Sequence, residues 1–211
     1  MVFFEKSQPA PNIGKKYNIP EVVEKLAKEF FNKCYICGTK APININVEHF
    51  IAHKGDESLK LDWTNLFLSC SHCNNIKSDN YQNLLNCTIL NNKVDTAIHY
   101  QINPFPKELA NLEIRINSDK ATETKNLLEK CFNGDHTSQK KLESSNLRAT
   151  LLKEITVFQQ VLFEYFESQD DYFLNKIKYH LNNQSSFTAF KRWIIRDNSV
   201  LNNQFSKYIL N

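Results

Sequence analysis

Apolar residues at Val22, Val23, Leu26, Phe30 and Phe31 recur at helical spacing and predict a helix over 20–31, with Pro20 well suited to its first turn. Upstream, Pro9, Pro11 and Gly14 mark residues 1–19 as an irregular arm. The texture then changes. A strand-like apolar run covers 43–51, a polar loop covers 54–60, and a second apolar run covers 66–69. A short helix is expected from Cys73 onward. Pro104 and Pro106 interrupt regularity, whereas 112–116 (LEIRI) alternates as a strand does. From Ala121 the pattern is helical. The clearest long helix spans 137–167, where Leu147, Leu151, Ile155, Phe158, Leu162 and Tyr165 fall three and four apart. Shorter helices follow around 172–181, 187–196 and 200–210. The expected class is α+β. Residues 1–118 form a compact module with its arm and leading helix, and 119–211 form a helical region for packing or partner binding.

Composition narrows this picture only a little. At 211 residues, 41% hydrophobic and 23% charged, the chain can bury a genuine core and is not disordered in bulk. A net charge of +3 permits nucleic-acid binding without arguing for it. Lys140, Lys141, Lys176, Lys178, Lys191, Arg192 and Arg196 are spread over the C-terminal helices, as a basic face or as ordinary solvated charges. No apolar run reaches the about 18 residues a membrane helix needs, and the N-terminus lacks a secretory pattern. A cytoplasmic setting is the expectation. In a reducing compartment, cysteines at close spacing mean metal ligands or free thiols rather than disulfides.

Six cysteines are present, and four of them form two C-x-x-C pairs, Cys34/Cys37 and Cys70/Cys73. Each pair turns tightly enough to place two sulfurs on one ion, and four thiolates are a zinc set. A reading as plain buried thiols makes two such pairs an accident. Cys87 and Cys131 lie outside the pattern and read as small buried hydrophobes. Thirty-two residues, positions 38–69, separate the pairs, more than a simple zinc ribbon holds. Something substantial is inserted there.

The insert carries Val47-Glu48-His49-Phe50 and then Trp63-Thr64-Asn65-Leu66. Neighbouring residues on a strand point to opposite faces unless the strand ends or distorts. At a strand end, Glu48 can hold a divalent cation while His49 faces a water. Asn74 directly follows Cys73, so the zinc clamp would fix its backbone and its amide oxygen could offer a second hard ligand. Asn65 is suited to bracing a loop, since an amide both donates and accepts. His53 reads as a loop residue or as a neighbour of the metal or phosphate. His72 reads as a bystander, a substitute ligand or a phosphate contact, and Trp63 as packing beneath the loop, with stacking on a base as the secondary reading.

The run CYICG…VEHFIAHK…DWTNLFLSCSHCNNIKSDN resembles the HNH endonucleases, in the subgroup with a four-cysteine zinc site. The resemblance implies a ββα-metal fold of two antiparallel strands and a helix. Glu48 falls at its first metal-ligand position, His49 at the general base, Asn65 at the central bracing asparagine, and Asn74 at the last metal-binding position. Asn75 duplicates Asn74 and leaves that register open by one residue. Asn74 is preferred because it abuts Cys73. Lys77 matches a frequent helix lysine and is expected to contact phosphate. Implied cofactors are structural Zn²⁺ and catalytic Mg²⁺ or Mn²⁺. The implied reaction is phosphodiester hydrolysis, most readily of DNA, leaving 5′-phosphate and 3′-hydroxyl ends. The same phrases also resemble the HNH nucleases of Septu and retron anti-phage systems, which implies an ATPase partner. The alternative is a non-catalytic zinc module that binds nucleic acid or a protein.

Overall fold

The computed structural model describes residues 1–209. Helix α1 spans Pro20–Glu29, with Pro20 in its first turn, and buries Val22 and Leu26. Strands β1 (Ile45–His49) and β2 (Leu66–Cys70) pair antiparallel, with Ile45 opposite Cys70 and His49 opposite Leu66. Helix α3 (Ser71–Lys77) follows β2 without a loop. It starts two residues before the expected Cys73, because Cys70 already takes the extended cap conformation. These three elements are the expected ββα unit. The polar loop between the strands contains one capped helical turn, α2 (Glu57–Lys60), where the Asp56 carboxylate accepts from Ser58 N–H. A short 3₁₀ turn, Trp63–Asn65, leads into β2.

A second antiparallel pair, β3 (Ile98–Asn103) and β4 (Leu109–Ile114), places Ile98 opposite Ile114. Pattern reading misses β3 and places β4 three residues late. The reason is visible in burial. The first three residues of β3 are all buried, including His99, so period-2 alternation is hidden. Arg115 and Ile116 lie beyond β4 and donate their amides to the Ala97 carbonyl.

The remaining helices are α4 (Asp119–Asn133), α5 (Ser138–Ser168), α6 (Asp171–Leu181), α7 (Thr188–Asp197) and α8 (Ser199–Phe205). Ser118 caps α4 and Thr137 caps α5, each accepting a backbone N–H three residues on. The expected last helix stops early, passing into a 3₁₀ turn at Ser206–Tyr208, and position 210 lies outside the described residues.

The arm is irregular in backbone but firmly packed. Met1, Val2 and Phe4 are buried, and the Phe4 ring stacks on Phe30 with centroids 4.8 Å apart. One hydrophobic cluster runs across position 118, joining Phe30, Phe67 and Tyr100 to Leu128, Phe132 and Phe190. A second lies wholly in the C-terminal helices and includes Phe158, Tyr165, Ile177 and Phe205. Several of the C-terminal cations, read from sequence as a basic face or as solvated charges, are instead interior. Lys191 and Arg192 have no exposed surface and pair with Glu154 and Asp95. Arg196 also turns to Asp95. Their long stems let them cross the core only because those carboxylates meet them there.

Candidate active site

The four clamp cysteines converge. Cys34, Cys37, Cys70 and Cys73 are buried, and their sulfurs lie within 4.8 Å of one another. Cys37 and Cys70 sulfurs are 3.9 Å apart. A tetrahedral zinc with Zn–S near 2.3 Å requires S···S of about 3.8 Å, so the set is compatible with a structural zinc ion. The first knuckle closes on itself: Cys34 N–H donates to Thr39 O, and Gly38 N–H to Cys34 O. Gly38 has φ +81°, a conformation that favours glycine in this turn. The second knuckle is the junction of β2 with α3. Hydrogen bonds from the Cys34, Cys70 and Cys73 thiols hold Cys37 well below the ordinary thiol range, against the opposing effect of burial. Cys87 and Cys131 are buried free thiols outside the cluster.

The clamp sets the position of α3 against β1, and with it an open cavity of about 710 Å³. Glu48, His49, His53, Asn74 and Asn75 all line it, as does Tyr17 from the arm. Glu48 and His49 both reach the cavity because His49 is the last residue of β1. His49 Nε2 lies 3.0 Å from the Lys60 carbonyl. A carbonyl only accepts, so Nε2 carries the proton and the neutral ring keeps its lone pair on Nδ1. The imidazole is flanked by the rings of Tyr17 at 4.5 Å and His53 at 4.7 Å. Burial lowers its pKa, and the bond to Lys60 only partly opposes that shift, so the ring is neutral at pH 7.

Glu48 is 6% exposed and doubly engaged. Its Oε1 lies 2.6 Å from Lys77 Nζ, and its Oε2 accepts from Tyr35 Oη at 3.1 Å. Burial pushes its carboxyl up to about 7, against the lowering effect of Lys77 and Tyr35. Each oxygen retains a further lone pair, as a cation ligand requires. Lys77, expected at a phosphate, instead has no exposed surface and also donates to the His49 carbonyl at 3.0 Å. Its position at the end of α3 points it inward, where Glu48 supplies the countercharge. Asn74 is half-buried and Asn75 exposed, on the turn that also carries Cys73.

Asn65 is buried and spans the inserted loop. Its Oδ1 accepts from Ile51 N–H, and its Nδ2 donates to the Ile51 and Leu59 carbonyls. It braces backbone and does not line the cavity. His72 is a structural tie, with Nδ1 2.7 Å from Glu143 and Nε2 2.8 Å from the Cys131 carbonyl. It fastens the second knuckle to α4 and α5. Trp63 is buried beneath the loop.

Residues 34–80 match the HNH endonuclease family. The HNH match covers both knuckles, the hairpin and α3, and so contains every residue of the site except Tyr17. No curated protein and no solved structure matches the chain. Tyr17 and Tyr35 were not foreseen. Tyr17 sits in a stretch without periodicity, and nothing about the position of Tyr35 inside a knuckle signals a carboxylate partner.

Proposed function

We propose that this chain is a divalent-cation-dependent endonuclease that hydrolyses phosphodiester bonds in DNA. The observation that carries the reading is the tautomer of His49: its Nε2–H is engaged by Lys60, and its bare Nδ1 shares one open cavity with Glu48 and Asn74. Nδ1 would take the proton of a water attacking phosphorus, and the depressed pKa keeps the ring ready to do so near neutrality. Glu48 and Asn74 would hold Mg²⁺ or Mn²⁺, hard oxygen donors suiting a hard cation. Such a cation supplies positive charge at the scissile phosphate and the departing 3′-oxygen. Lys77 and Tyr35 would aim Glu48, and Asn65 would hold the loop that presents the Lys60 carbonyl.

The test uses plasmid, single-stranded DNA and RNA with Mg²⁺, with Mn²⁺ and without added divalent ion. Cation-dependent nicking is expected from the wild type, and His49→Ala should lose at least about 100-fold in rate while keeping its thermal midpoint. Wild-type protein that never cuts under any of these conditions, with or without a co-purifying ATPase, would sink the proposal. The second reading, a non-catalytic zinc module, draws on the Lys77 ammonium already facing Glu48. It predicts binding without cleavage, indifferent to His49→Ala. The resemblance to Septu and retron nucleases supports an antiviral effector working beside an ATPase. Co-purification of an ATPase, with cleavage that changes on its addition, is the expected outcome.

A further inference from the structure

The cavity holds a second imidazole that the reaction outlined above leaves unused. His53 lies in the turn after β1, and its ring meets that of His49 at an interplanar angle of 63°. The turn is well fixed. Ala52 N–H donates to Gln82 Oε1 at 2.8 Å, and Asp56 N–H to the His53 carbonyl at 2.7 Å. Lys54 and Gly55 both adopt left-handed backbone, with φ +46° and +94°. This conformation brings the Gly55 amide onto His53 Nδ1 at 3.1 Å. A backbone N–H only donates, so Nδ1 is the acceptor and the neutral ring carries its proton on Nε2.

The two adjacent rings therefore differ in what they offer. His49 spends its N–H on Lys60 and keeps a lone pair, whereas His53 spends its lone pair on Gly55 and keeps an N–H. Among the described residues, nothing accepts from His53 Nε2. A phosphate entering beside Glu48 meets carboxylates, with Asp79 at the rim countered by Lys54 at 3.7 Å. Lys77, the cation nearest to Glu48, is already committed. Lys54 and the Asn74 and Asn75 amides also line the cavity, and the donor directly beside the His49 ring is the neutral N–H of His53.

We infer that His53 binds the scissile phosphodiester, donating its Nε2–H to a non-bridging oxygen while His49 takes the proton of the attacking water. This assignment rests on the hydrolase reading, and two measurements on the full chain separate them. Long-range ¹H–¹⁵N spectra should show His53 protonated at Nε2 and bare at Nδ1, with the Nε2 signal moving when a short duplex is added without divalent cation. In kinetics, His53→Leu should lower kcat about 100- to 1,000-fold, the usual effect of one lost oxyanion donor. His53→Phe, which keeps ring packing but has no N–H, should be equally impaired. His53→Gln, whose amide reaches the place of Nε2, should recover most of the loss.

A proton on Nδ1, an unmoved Nε2 signal in a duplex-bound sample, or a phenylalanine variant with wild-type kcat would each overturn the assignment. If the leucine variant fails to fold, the glutamine and phenylalanine pair and the wild-type spectra still decide. A wild type whose His53 signal responds to duplex but which never cuts counts against hydrolysis and leaves the phosphate contact standing.

Discussion

Glu48 is held between an ammonium and a phenol with little water in reach. Breaking a buried pair from one side strands the other charge, which is costlier than removing both. Lys77→Met should therefore destabilise the protein by about 3–5 kcal/mol, and Glu48→Gln combined with Lys77→Met by less, as read from urea denaturation. Asn65→Ala removes one acceptor and two donor bonds from the loop. A loss of about 2–3 kcal/mol is expected, with faster amide exchange at Ile51. The bracing role of Asn65 could be read from its residue type and place. The inward turn of Lys77 could not, because a lysine at the end of a short helix reads the same whether its stem crosses the core or runs into solvent. Only the neighbouring carboxylate settles the matter, and that contact joins two elements 29 positions apart in the chain.

At the scale of elements, the arm meets the hairpin at two places: Lys6 donates to the Leu66 carbonyl at 2.6 Å and lies over the Phe67 ring, and Tyr17 stands edge-on to His49. Tyr17→Ala should free the imidazole to turn and lower kcat about tenfold, while Tyr17→Phe keeps the contact and the rate. A pH–rate profile checks whether the basic group itself is unchanged. Elements with long, one-sided apolar periodicity were legible. Helix α5 was expected over 137–167 and runs Ser138–Ser168, because its buried stripe of Leu151, Ile155, Phe158 and Leu162 repeats every three or four residues. Strand β3 was illegible because the face a strand would normally leave wet is covered. His99 there packs against Trp193 and pairs with Asp197. The irregular backbone of the arm was legible, but its burial was not, for another reason. It has no period at all, and its burial comes from what folds over it.

Across the whole molecule, α5, α6 and α7 meet on Lys191, whose Nζ touches Glu154 at 2.8 Å, His180 Nδ1 at 3.0 Å and Ser185 at 3.0 Å. Burial first, and Lys191 next, lower the pKa of His180 to about 4. The unfolded chain, with histidine near 6.5, then binds the proton that the folded state refuses between those two values. The contribution is complete above pH 6.5 and is lost as pH falls toward 4. Unfolding free energies from urea denaturation should fall further between pH 7 and 4.5 for the wild type than for His180→Gln, by of order 1 kcal/mol. The sequence held no sign of this cluster, since its members are 26 to 37 positions from Glu154 and meet only when the helices pack. A last consequence concerns chelators. Cys73 and Asn74 share a peptide bond, so a reagent that strips the thiolate site also releases the backbone that aims the amide. On the proposed hydrolase reading, inhibition by EDTA would therefore report two losses at once. Magnesium add-back alone should fail to restore cutting after prolonged chelation, whereas zinc followed by magnesium should succeed.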